Sequence, residues 1–178
     1  MKPYILVLHN KIKLWLKRCK CKGVSAFGIQ LFSRNAKFVF DKTSVVEFGD
    51  KIINDGRLVA VVGKNATLKI GSGTYFNEDT MISCKKKVVI GNGCQFGPNV
   101  KIFDNNHQFN AENGVMSSHK SAPIYIGDRC WLGTNVVILK GVRIGNNTVI
   151  GAGCVVSQDI PDCSVGTQGR DLHIEPMR

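Results

Sequence analysis

From Leu68 onward the chain places an apolar side chain at every sixth position. Ile126, Leu132, Ile138, Ile144, Ile150 and Val156 form one ladder, and two residues before each stands Ile124, Cys130, Val136, Val142, Thr148 or Cys154. Upstream, Ile70, Phe76 and Ile82 keep the step, as do Ile90, Phe96 and Ile102, with Leu68, Thr74, Thr80, Val88, Cys94 and Val100 as partners. A two-residue insertion in "SCKKKVV" is the one slip. Before residue 68 the step blurs: Phe40, Val46 and Ile52 keep it, and Lys64 breaks it. A helical period of 3.6 cannot produce this spacing, whereas short strands with a corner every six residues do. Three such faces predict a coil of about 18 residues, stacked on the next by parallel pairing at roughly 4.8 Å. An ordinary sandwich would show paired turn signals and irregular lengths instead. The glycines after the ladder residues, Gly71, Gly91, Gly97, Gly127, Gly133, Gly145 and Gly151, are expected to take turn conformations that a Cβ resists. Cys94, Cys130 and Cys154 read as small interior residues.

The rhythm stops from Phe103 to Pro123, a stretch that opens with "FDNNHQF" and reads as an extended loop. At the other end, "MKPYILVLHNKIKLWLKRCKCK" places Ile5, Leu8, Ile12 and Trp15 at helical spacing, which predicts a basic amphipathic helix with Pro3 in its first turn. Its stripe either packs on the rest of the protein or touches a membrane surface. The apolar run Tyr4 to Leu8 is too short to span a bilayer, and no signal-type cleavage site follows it. The predicted organisation is a helix over 1–22, a parallel β-helix over 23–165 with its loop at 103–123, and a tail over 166–178.

Composition sharpens this picture. A length of 178 residues suits one domain. Seven scattered cysteines without a CxxC pair argue against a disulfide framework and for a reduced, cytoplasmic setting, to which the basic helix adds peripheral contact at the inner face of a membrane as an expectation. The net charge is +11, and Lys2, Lys11, Lys13, Lys17, Arg18, Lys20 and Lys22 stand in a segment without any acid. Such a balance favours anionic partners. No nucleic-acid module is recognisable, so nucleic acid is not expected among them.

The run "IGDRCWLGTNVVILKGVRIGNNTVIGAGCVVSQDIPDCSV", Ile126 to Val165, resembles the hexapeptide-repeat acyltransferases, in particular the galactoside and maltose acetyltransferases and the polysaccharide O-acetyltransferases. The resemblance reaches back to about Leu68. It implies a left-handed parallel β-helix, a homotrimer, and acetyl-CoA as acetyl donor, bound in a groove between neighbouring subunits. In that family a histidine at the start of a loop before the Ile-Gly-x-x-x-Trp element is the general base, and His107 is similarly placed. The resemblance further implies acceptor contact for Asn77, and a donor groove built from Trp131, the Gly133-Thr134 corner and the Gly151-Ala152 corner. Ser157 and Gln158, in "VSQDIP", stand where the family often has a hydroxyl and a cation. The closing "GTQGR" keeps Arg170 as a partner for a CoA phosphate.

Acetyl transfer to an alcohol needs a base, donors for the oxyanion, and grooves that align both substrates. An imidazole suits the first task because it takes and returns a proton near neutral pH. Asp104, three residues before His107, either steadies the imidazole or stabilises the loop through a turn. His119 is a second loop histidine with a potential acceptor contact. The chemistry expected is therefore O-acetylation of a sugar or surface-polysaccharide precursor. N-acetylation of an amino-sugar nucleotide and a silent scaffold are the competing readings. A zinc site, as in other enzymes sharing this helix, would need a histidine set that His9, His107, His119 and His173 do not supply.

Overall fold

A computed structural model describes residues 3–169. The chain winds as a three-faced parallel β-helix. Face A carries the strands Val24–Ala26, Val45–Phe48, Thr67–Ile70, Lys87–Ile90, Ile124–Ile126 and Arg143–Ile144. Face B runs from Gln30–Phe32 to Val165–Gly166, and face C from Lys37–Phe40 to Val155–Val156. From Leu68 onward every ladder position and every partner two residues earlier is buried, and Phe40 upstream is partly buried against the same core. Inside, Phe76 stacks on Phe96 with ring centroids 4.6 Å apart.

The blur before residue 68 has a simple origin in coil length. Late coils take eighteen residues, so Tyr125 pairs with Arg143 and Trp131 with Val149. The insertion makes one coil of twenty, with Thr67 opposite Lys87. The early coils take twenty-two, with Val24 opposite Val46 and Lys37 opposite Val59, and their face C strands are longer, four residues at Lys37–Phe40 and five at Leu58–Val62, against three at Val137–Leu139 and two at Val155–Val156.

The glycines after the ladder residues work differently from expectation. None of them has a positive φ; the left-handed residues come two positions later, at Gly73, Gly93, Asn99, Arg129, Asn135, Asn147 and Gly153. What excludes a side chain is the neighbouring coil. A Cβ on Gly127 would lie 2.7 Å from the Asn146 amide nitrogen, and one on Gly133 2.7 Å from that of Ala152.

At the edge between faces A and B the next residue adds a ladder of its own. The amide of Asp50 donates to Ser72 Oγ, Ser72 to Asn92 Oδ1, Asn92 to Asp128 Oδ1, Asp128 to Asn146 Oδ1 and Asn146 to Asp162 Oδ1, at 2.7–3.0 Å. Corner amides that no strand pairs are thereby satisfied.

The helix Pro3–Lys20 forms as predicted and closes the first coil. Its orientation corrects one expectation. Ile5, Leu8, Ile12 and Trp15 do not pack on the protein; they are exposed, Leu8 by 60% and Trp15 by 63%. The inward face is Asn10, Lys13, Leu14 and Lys17. Asn10 Nδ2 donates to the carbonyls of Gln30 (3.2 Å) and Phe32 (3.0 Å), and Lys13 Nζ donates to Ala36 O while lying over the Phe38 ring. The first coil presents unpaired carbonyls, and polar side chains are what satisfy them.

Candidate active site

The excursion at 103–123 is a β-hairpin, Asn105–Asn110 against Gly114–Ser121, leaving the edge between faces C and A. Its base is built on Asp104, whose side chain is fully buried. The insertion leaves the amides of residues 85–87 without strand partners. Asp104 takes all three: Oδ1 accepts from Lys85 at 2.7 Å, and Oδ2 from Lys86 at 2.7 Å and Lys87 at 2.8 Å. Asn105 Nδ2 donates to Oδ1 as well, and the Asp104 carbonyl receives the amide of Ala122, where the hairpin returns. Of the two roles expected for this carboxylate, the structure gives it the loop and not the imidazole, since both oxygens are already engaged.

His107 is held by a group the sequence does not announce. Its Nδ1 lies 3.0 Å from the carbonyl oxygen of Met116. A carbonyl only accepts, so in the neutral ring Nδ1 carries the hydrogen and Nε2 keeps a free lone pair. His119 is directly opposite on the hairpin, with ring centroids 4.2 Å apart. Desolvation, then the Lys85 ammonium and then His107, hold His119 below the ordinary histidine value. The two imidazoles open on a cleft of about 460 Å³ lined also by Ser83, Lys85, Phe103, Asn105 and Asn106. Lys85 is a residue that sequence reasoning missed, although the "KKK" of the insertion was its signal.

The expected donor residues lie elsewhere, along face B and the edge between faces B and C. Trp131 stands on face B, 56% exposed, in register with Gln95 and Val149. At the B–C edge the amides of Gly133 and Gly151 are spent on the carbonyls of Ile150 and Gly166. Those of Thr134 and Ala152 have no hydrogen-bond partner among the described residues, and both residues are exposed. The contrast with the A–B edge is chemical: there a side chain follows each glycine and satisfies the corner amide, and here Thr134 and Ala152 leave theirs pointing outward. Asn77 occupies the same edge and uses Oδ1 on the Glu78 amide at 2.8 Å, leaving Nδ2 without a partner among the described residues. Ser157 lines a recess of about 280 Å³ at the last coil. Arg170 lies outside the described residues.

The structure thus brings together His107 with His119, and separately sets Asn77, Thr134 and Ala152 on different coils along the B–C edge, with Trp131 on face B in the coil of Thr134. Between the groups lies face C, whose strands Lys101–Phe103 and Val137–Leu139 span roughly 10 Å, and no hydrogen bond or ring contact joins the groups among the described residues. Among the described residues no cluster of His, Cys, Asp or Glu could hold a metal ion.

Comparison with known proteins places this geometry. Residues 123–158 match the family "Bacterial transferase hexapeptide (six repeats)". Galactoside O-acetyltransferase of Lactococcus lactis is 39% identical over 100 residues, 56% of this chain, and the chain spans only 47% of that protein's length. Two Escherichia coli K12 proteins match more completely. Galactoside O-acetyltransferase is 32% identical over 153 residues (79% of this chain, 74% of that one), and the putative lipopolysaccharide biosynthesis O-acetyl transferase WbbJ is 31% identical over 159 residues (76% of each). Among solved structures, a galactoside acetyltransferase in complex with coenzyme A superposes with a TM-score of 0.53 at 38% identity, covering 57% of this chain and 50% of that one. With two relatives above 30% identity matched over 74% and 76% of their length, the chain belongs to the hexapeptide-repeat acyltransferase family.

Proposed function

We propose that this chain is an acetyl-CoA-dependent O-acetyltransferase acting on a hydroxyl of a sugar or surface-polysaccharide precursor, with His107 as general base. The observation that carries the reading is the Met116 carbonyl on Nδ1, which leaves Nε2 as the proton acceptor. Nε2 takes the acceptor hydroxyl proton as the oxygen attacks the thioester carbonyl. The tetrahedral oxyanion draws on the unspent Thr134 amide, with Ala152 along the pantetheine arm and Trp131 beside the acetyl group. As the C–S bond breaks, the proton on Nε2 passes to the departing thiolate. Asn77 contacts the acceptor through Nδ2, and Ser157 and Arg170 serve the far end of CoA.

Because His107 and the unspent amides stand on different edges of one chain, the reaction centre is assembled between subunits of a homotrimer. The hairpin tip supports this, since Phe109 is 75% exposed and apolar, a surface suited to a neighbour. The test is acetyl-CoA cleavage with a panel of sugars. His107→Ala lowers turnover by about 10²–10⁴-fold with acetyl-CoA binding retained. Undiminished turnover ends the general-base role, and absence of acetyl-CoA binding ends the donor assignment.

We also propose that the helix Pro3–Lys20 lies on an anionic membrane surface. Tyr4, Ile5, Leu8, Ile12, Trp15 and Leu16 are exposed together, with exposed Lys11, Arg18, Lys20 and Lys22 beside them and no acid before Asp41. An apolar face rimmed by cations suits an anionic interface. No helix among the described residues is long and apolar enough to cross a membrane. Flotation with phosphatidylglycerol vesicles is expected for the wild type and lost in Leu8→Glu/Trp15→Glu. Equal flotation of both, or burial of this face in a dimer or trimer of unchanged size, defeats the assignment.

A further inference from the structure

The cleft beside His107 has a chemical bias. Of its lining residues, Lys85 is a cation, His107 and His119 are imidazoles, Asn105 and Asn106 are amides, Ser83 is a hydroxyl and Phe103 is a ring. No carboxylate lines it. The nearest acid, Asp104, is buried with both oxygens committed to amides.

Lys85 itself is exposed and forms no ion pair among the described residues, where the pairs are Arg57 with Asp79 and Lys69 with Glu47. Its neighbour Lys87 is engaged over the Tyr125 ring, and Lys101 on the carbonyl of Asp79. The Lys85 backbone is pinned by Asp104, so its stem starts from a fixed point on the cleft wall. Its charge is felt at the His119 ring, where a second cation is disfavoured. An ammonium kept beside two imidazoles, without an internal counter-ion, leaves that part to a ligand.

We infer that the acceptor is an anionic sugar, bearing a carboxylate or a phosphate that Lys85 binds while the reacting hydroxyl meets His107. The sugar ring packs against Phe103, the aromatic surface among the lining residues. The inference rests on the acetyltransferase reading and narrows its acceptor to uronic acids or sugar phosphates.

Binding is read without turnover, by NMR titration of the histidine ring signals with glucuronate, galactose 1-phosphate and methyl galactoside in turn. The two acidic sugars separate the carboxylate and phosphate sources. At least one acid is expected to shift the His119 signal and raise its titration midpoint, because an added anion favours the imidazolium; the neutral galactoside is expected to do neither at the same concentration. Lys85→Gln weakens that binding about 10-fold, Lys85→Arg retains it, and both keep the thermal unfolding of the wild type. Equal binding of neutral and acidic sugars, binding unchanged in Lys85→Gln, or no shift with either acid overturns the inference. Turnover of acetyl-CoA on neutral sugars that ignores Lys85 also overturns it, while leaving the acetyltransferase reading intact. Acid binding that depends on Lys85, together with no binding of acetyl-CoA, does the reverse.

Discussion

At the scale of single residues, the candidate site is governed by groups that lie next to the reacting atoms without touching them. Asp104 serves four donors at once, and three of them are backbone amides with no other partner. Replacing it with Ala leaves three partly buried N–H groups without their acceptor, and a fully buried one would cost about 1–3 kcal/mol. Asp104→Ala is therefore expected to lower the urea midpoint strongly and to disorder the base of the hairpin. A loss of turnover with an unchanged midpoint would instead point to direct catalytic contact. The Met116 carbonyl has a comparable influence on His107, and it was not legible in the sequence because a backbone carbonyl has no residue signature. Asp104 was legible as a candidate but not in its role. Its partners, residues 85–87, lie almost a full coil earlier, and only the stacking of coils brings them together.

At the scale of elements, the six-residue step exposed the β-helix clearly because burial in this fold recurs with the same step. Ile126, Leu132 and Ile138 are buried for the reason that they are six apart. The N-terminal helix was legible as an element but not in its orientation. Both of its faces carry apolar side chains, and the face turned inward is chosen by Asn10 and Lys13, which satisfy the open carbonyls of the first coil. The corner glycines were legible as necessary, although the reason is close approach and not backbone conformation. Gly127→Ala forces a Cβ to 2.7 Å from Asn146 N and is expected to cost about 1–3 kcal/mol in chemical denaturation. Gly169→Ala, with nothing within 4 Å, is expected to leave stability unchanged. Equal effects of the two would remove the close-approach account.

At the scale of the whole molecule, the separation of His107 from Thr134 and Ala152 makes a quantitative demand on assembly. If each centre draws one part from each of two subunits, two differently damaged chains should repair one another. His107→Ala and Ala152→Arg, the second blocking the B–C edge, are each expected to be nearly inactive alone. Mixed by co-refolding, they should recover about a quarter of wild-type activity or less, as random pairing of intact halves allows. No recovery in verified mixed trimers would place both halves of the centre in one subunit.

The hydrogen-bonded ladder from Asp50 through Asp162 carries a consequence for how such a molecule can change length. Each rung joins equivalent positions of adjoining coils, so the structure is written in whole-coil units. Duplicating residues 127–144 would insert one complete rung and extend the molecule by roughly 4.8 Å, with every edge still in register. Removing six residues would shift each later side chain to the wrong edge. Whole coils are the units in which such a protein lengthens or shortens without disturbing its edges, and the hairpin at 103–123 and the two-residue insertion at the Lys85–Lys87 corner show the alternative, additions made outside that count.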